Sequence, residues 1–191
     1  MKSAQAGYTL AEVLTVVAIV GILSLVTVPA FMNFRTSNKV KSSVRTFTTE
    51  LRRTRQLAIT NGKESKLSFA TGTSGGARNY NLFLGDTAVG TPTTWTALTT
   101  ATSAGSGANG YTRWLDDIVY FPANTAGTPQ TFTDIDGDGT LDVIFFPDGR
   151  VQTPAGMTTP PPTITLKTDA TGVSQQVFQV DVFPSGAVKV H

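Results

Sequence analysis

The sequence predicts an α+β protein: a long N-terminal helix, first apolar and then amphipathic, packed on a C-terminal antiparallel β-sheet domain. Three observations predict it. No ionisable residue lies between Val13 and Phe34, a run of 22 positions. From Val40 to Ala58 apolar residues recur at three- and four-residue steps, the period of a helix with one buried face. Beyond residue 63 the apolar period falls to two, in short runs broken by Gly, Pro, Asn and Asp.

A chain of 191 residues suits one globular domain with an appendage. It has no cysteine, which excludes a disulfide framework and any thiolate metal or redox site. The net charge of +2 hides an asymmetry. Between Arg35 and Lys66 nine basic residues face Glu50 and Glu64, while from residue 67 onward five basic residues face ten Asp. A basic neck on an acidic head suits self-association or an anionic partner.

The first element is the apolar run. Its 22 residues span roughly 33 Å as a helix, close to the ~30 Å core of a bilayer. A secretory signal peptide or a plain membrane anchor would also be apolar, but a signal peptide has a shorter run and a small-x-small cleavage site. Here the helical pattern continues through Pro29 into VPAFMNFRTSNKVKSSV. The basic cluster follows the run and Lys2 is the only charge before Glu12, so the positive-inside rule alone would favour the opposite orientation to an exported head. One acid, Glu12, stands at the start of the run. An unpaired carboxylate at mid-membrane costs about 3 kcal/mol, partly relieved near a helix start by the helix dipole.

The stretch GYTLAEVLTVVAIVGIL resembles the class III leader and first helix of type IV pilins and type II secretion pseudopilins. The resemblance implies a leader at residues 1–7, cleavage by a prepilin peptidase between Gly7 and Tyr8, and N-methylation of Tyr8. It implies a transmembrane and filament-core helix over 8–34, with Pro29 where many members carry a kinking proline. Glu12 matches the acid that neutralises the free amine of a neighbouring subunit in the filament. Members usually begin with Phe; Tyr8 keeps an aromatic ring. The implied setting is the bacterial inner membrane, single-pass, with the head outside the cytoplasm. The implied partners are other pilin or pseudopilin subunits, the peptidase, the assembly platform and, before assembly, the membrane.

Residues 35–62 continue as an amphipathic helix with Val40, Val44, Phe47, Leu51, Leu57 and Ala58 on its apolar stripe, and Asn61-Gly62 as its stop. The head, residues 63–191, follows with strands at KLSF, NYNLFL, DIVYF, LDVIFF, TITLK, QVFQVDVF and GAVKV. In QVFQVDVF, Phe178, Val180 and Val182 share the buried side. Thr/Ala/Gly-rich stretches at 70–78, 86–110 and 122–130 read as loops. LRRTRQLAITNGKESKLSF and the tail IFFPDGRV … TITLK … VFQVDVFPSGAVKV are similar to the GspH/FimT group of minor pseudopilins and minor pilins.

The stretch DIDGDGTLD, residues 134–142, crowds four carboxylates into nine positions. At an effective dielectric near 20, charges about 6 Å apart repel by roughly 3 kcal/mol per pair before screening. Ca2+ resolves this, with carboxylates from Asp134, Asp136 and Asp138, a backbone carbonyl from Thr140, and Asp142 at the ninth position. Position 12 is Phe145, so the bidentate Glu of an EF-hand is missing. An acidic solvated turn is the alternative.

Catalysis has no support. The one histidine is the terminal His191, and no nucleophile elbow, P-loop or H-E-x-x-H occurs. Asp116 and Asp117 read as a diverging pair in a solvated loop, and GTSGGA at 72–77 as a loop without a phosphate-binding context. The expected function is a minor pilin or pseudopilin, a structural subunit of a type IV pilus or of a type II secretion pseudopilus. The alternative is a DNA-binding minor pilin of natural transformation, with Arg150 and Lys189 as the contact residues, set against an otherwise acidic head.

Overall fold

The computed structural model describes residues 9–72, 77–87, 94–98, 112–123, 125, 130–153, 161–168 and 176–191, with main chain only at 26, 29, 30, 33 and 112. The leader and the Gly7–Tyr8 junction lie outside these residues, as do most of the expected 86–110 loop and the side chain of Pro29. The element order is α1 (Leu10–Asn61), β1 (Ser65–Phe69), β2 (Asn79–Gly85), β3 (Trp95–Ala97), β4 (Thr112–Trp114), β5 (Val119–Tyr120), β6 (Leu141–Phe145), β7 (Thr163–Thr168), β8 (Val177–Val182) and β9 (Val188–Val190). Two units divide the chain, Met1–Asn38 and Lys39–His191, so the second part of α1 belongs to the head.

In the first unit Thr9 caps the helix. Its carbonyl and its hydroxyl both accept from the Glu12 amide, at 3.1 and 3.3 Å. Thr9-Leu10-Ala11-Glu12 therefore has the spacing of a capping box, with the acid in the first turn where the helix dipole favours it. The described apolar side chains that follow, from Leu10 to Phe34, are exposed on every side of the helix. The hydroxyls among them need no water: Thr15, Ser24 and Thr27 donate to the carbonyls four residues back, Ala11, Val20 and Leu23, at 2.7–2.8 Å. Among the described residues, no helix is long and apolar enough to cross a membrane.

In the second unit the helix stripe is as expected. Val40, Val44, Phe47, Leu51 and Ala58 are buried, Leu57 packs partly buried beside them, and Gly62 at φ +61° ends the helix. This stripe faces two antiparallel sheets. The first has the order β3-β2-β1-β6 with β4 also on β2; the second has the order β5-β7-β8-β9. Leu67 sits at the centre of the first, across from Leu82 on one side and Val143 on the other. Phe47 of the helix meets Phe69, Tyr80 and Phe121 edge-on, with ring centroids 6.3, 5.3 and 5.1 Å away. Val180 and Val182 are buried from β8, as their alternation implied.

Three local expectations change. Strand β3 lies within the 86–110 stretch read as loop, and β4 just beyond it; both pair with β2, whose outer edge would otherwise be open. Asp116 and Asp117 do not diverge: both reach the Lys39 ammonium, at 3.1 and 2.8 Å. A side-chain hydrogen bond shared with Asp116, and then the Lys39 ammonium, lower the Asp117 carboxyl to about 2. The third is Arg55, one of a basic run that reads as a solvated face. Its guanidinium donates to the carbonyls of Gly149 (3.0 Å) and Ser185 (3.2 Å), tying the turns Pro147-Asp148-Gly149 and Pro184-Ser185-Gly186 to the helix.

The two turns touch. A Cβ added at Gly186, whose φ is +77°, would lie 2.1 Å from the Gly149 carbonyl oxygen. Gly186→Ala therefore combines left-handed strain with a backbone clash, and the expected loss is about 3 kcal/mol, read as a lower unfolding midpoint of the detergent-solubilised chain.

Candidate functional site

Strand β1 is buried on both faces, which an outer strand-to-solvent arrangement would not require. Ser65, Leu67 and Phe69 face the helix; the Ser65 hydroxyl donates to the Thr54 carbonyl of α1 at 2.6 Å. Alternation then points Lys66 and Ser68 to the other side of the sheet. The segment 134–142 covers them there, and the register sets the contacts: Ser68 lies directly across from Asp142, and Lys66 across from Phe83.

The Lys66 side chain is only 1% exposed, and it is fully partnered. Its ammonium makes a close ion pair with Asp136, lies 3.4 Å from Asp142 Oδ1, and stands 5.0 and 5.1 Å from the ring centroids of Phe83 and Trp95. Asp142 is as buried. Ser68 donates to its Oδ1 and the Ile135 amide to its Oδ2 at 3.1 Å. Burial pushes the Asp142 carboxyl above its ordinary value, against the hydrogen bond from Ser68 and the charge of Lys66. Asp142 thus serves the sheet and does not join the outer carboxylates.

The outer part of the loop is built by its own backbone. Asp134 accepts from the Gly137 amide at 2.7 Å and the Gly139 amide at 2.8 Å, and the Gly139 bond is the main reason its carboxyl is held below the usual range. Gly137 and Gly139 have φ of +78° and +83°, which a side chain would oppose. Asp138 accepts from the Thr140 amide (2.8 Å) and hydroxyl (2.6 Å). The result sets exposed carboxylate oxygens of Asp134, Asp136 and Asp138 within 4.8 Å of one another.

Of the four expected carboxylates, then, the structure gathers three, and Asp142 is turned inward to Lys66 and Ser68. The donor set of hard oxygens fits a divalent cation in part, because Lys66 already supplies one positive charge to Asp136. Sequence reading missed Lys66: it sits in a basic run, and only its inward position on a strand with two covered faces marks it.

Both residues of the expected nucleic-acid pair are on the surface. Arg150 Nε donates to Asp148 at 2.6 Å and its guanidinium stacks over Phe146. Lys189 is exposed on β9 across from Asp181, which also takes His191 Nε2 at 2.8 Å. Glu12 is exposed on the first turn of α1, and Pro29 lies within the helix.

A family described as the prokaryotic N-terminal methylation motif matches residues 2–28. A type IV major fimbrial protein FimA of Dichelobacter nodosus is 34% identical over 143 residues, covering 70% of this chain and 83% of the relative. A second protein of that name and organism is 39% identical over 69 residues, 36% of this chain and 44% of its own length. Among solved structures, the minor pseudopilin EpsH from the type 2 secretion system of Vibrio cholerae aligns over 79% of this chain and 94% of its own, at 12% identity and a TM-score of 0.45.

Removing the Lys66 ammonium would strand a buried charge. Lys66→Met is expected to cost about 3–5 kcal/mol in denaturant titrations of the full chain, and adding Asp142→Asn to it should return part of the loss.

Proposed function

The chain belongs to the type IV pilin and pseudopilin family, and from that premise we propose that it is a minor, non-enzymatic subunit of a membrane-anchored filament, a type IV pilus or a secretion pseudopilus. The observation that carries this reading is the start of α1. There the methylation motif, the Thr9 cap and Glu12 stand together ahead of an apolar surface with no partner among the described residues. In this reading the peptidase cuts between Gly7 and Tyr8 on the cytoplasmic side, and the apolar residues of 8–34 lie in the inner membrane until assembly. The head remains outside the cytoplasm.

The chemistry of assembly follows from the helix end. Cleavage leaves an ammonium on Tyr8, one residue before the cap, where the positive end of the helix dipole disfavours it. Glu12 of an adjacent subunit relieves that ammonium, and the ammonium relieves Glu12 in hydrocarbon. The resemblance of the 143–191 tail to minor pseudopilins and minor pilins supports the minor role. The relatives named as major fimbrial proteins favour an abundant one, and the share of this chain in sheared fibres decides between them. DNA uptake as the main role draws little support, since Arg150 and Lys189 stand on an otherwise acidic head. We also propose Ca2+ as a second cation on Asp134, Asp136 and Asp138, working beside Lys66.

In a strain lacking the gene, surface fibres recovered by shearing should collapse and return with the wild-type copy. Unchanged fibres shift the reading to the secretion pseudopilus or to DNA uptake. Glu12→Gln separates cap from charge, because Gln also serves at the third position of a capping box. It should be cleaved normally yet enter filaments roughly tenfold less, the equivalent of about 1.4 kcal/mol per docking step. Immunoblots of processed and fibre-bound chain read both. Chelation of divalent ions should lower the melting midpoint by less than Lys66→Met does, and a midpoint indifferent to both chelator and Ca2+ removes the metal from the account.

A further inference from the structure

The head carries a second surface that the assembly reading leaves unused. Between the 41–52 segment of α1 and strands β8 and β9 runs an open groove of about 480 Å³. Val44, Phe178 and Val190 form its apolar part, and Lys41, Arg45 and Arg52 its charged part. Val190 is 41% exposed, on the end strand of the second sheet. Other cations of the same helix are engaged: Lys39 with Asp116 and Asp117, Arg53 with Glu50, Arg55 with two turns. Among the described residues, Lys41, Arg45 and Arg52 hold no ion pair, and Lys41 and Arg45 repel each other at a spacing of four.

The complement lies on the same head. Loop 134–142 holds four Asp against Lys66, a net charge of −4 + 1 = −3, to meet the +3 of the groove. Between Asp134 and Asp136 the loop presents Ile135, an apolar side chain 40% exposed. An acidic tip with an apolar centre matches a groove with an apolar floor and a basic rim. A phosphate backbone would gain nothing from the Val44, Phe178 and Val190 floor.

We propose that the acidic loop 134–138 of one copy of this chain docks into the α1/β8–β9 groove of the next. The proposal rests on the filament reading in the form that the relatives named as major fimbrial proteins favour, with copies of this chain adjacent, and extends it to the contact between heads. The loop covers the face of the first sheet opposite the helix, whereas the groove is lined by the helix itself. The loop and the groove are unlike patches, and within a filament a head-to-tail contact between them repeats from one copy to the next.

The chain has no cysteine, so installed thiols are the only ones. Full-length Arg45→Cys and Asp138→Cys copies are expressed together in cells without the wild-type gene, with divalent ions chelated, and the sheared fibres are oxidised. The expected result is a disulfide-linked dimer containing one copy of each variant, absent when either variant is expressed alone. Fibres that contain both variants but no mixed dimer overturn the head contact and leave the filament reading standing. Fibres that contain neither variant, where the wild-type chain is also missing from them, overturn both. An Arg45→Cys adduct with a different protein overturns the self-contact in favour of another subunit. Binding of a duplex DNA fragment by the full chain that Arg45→Glu abolishes, with no mixed dimer, overturns it in favour of nucleic acid.

Discussion

One ammonium group governs how the head is layered. Strand β1 lies at the middle of the first sheet, with α1 on one face, so the alternate residues Lys66 and Ser68 point to the other. A lysine there has two outcomes: reach water, or be covered and paired. The chain covers it, with Phe83 and Trp95 from the same sheet and Asp136 and Asp142 from one loop. Burying that charge obliges the loop to close over the sheet, since either partner alone would carry the desolvation cost. Closure then turns Asp134, Asp136, Asp138 and Ile135 outward, where a cation or a neighbouring head can reach them.

The helix answers a different requirement. Among the described residues the two sheets share no strand pairing, and Val40, Val44, Phe47, Leu51 and Ala58 supply a stripe that both can pack against. Phe47 meets rings from β1, β2 and the residue after β5, and that residue, Phe121, meets the first two in turn. In the first unit the same helix has no such stripe. Its described apolar side chains are exposed on all sides, and the hydroxyls of Thr15, Ser24 and Thr27 are satisfied by its own carbonyls.

Much of this was legible in the sequence, for a physical reason. Helix period, strand alternation and the Gly62 stop are local signals, and the residues named from them are buried, or partly so at Leu57 and Phe178, or turned in the structure. The leader pattern around Glu12 is likewise local. What escaped was non-local. The partner of Lys66 lies 70 residues away at Asp136, and that of Arg55 lies 94 residues away at Gly149, so neither is marked by spacing. Four Asp in one loop suggested a metal because their missing cation was sought in solution; part of it was in the chain. Strands β3 and β4 escaped too, being three residues each and held by pairing to β2 and not by their own pattern.

Lys66 is the resident cation of loop 134–142. Amide hydrogen exchange at Ile135, Gly137 and Gly139, whose N–H groups donate to Asp142 and Asp134, tests it most directly. In the full chain without divalent ions these amides should be protected, and in Lys66→Met they should exchange freely. Amides that exchange freely in the wild-type chain until Ca2+ is added, and are then protected with or without Lys66, would contradict the account.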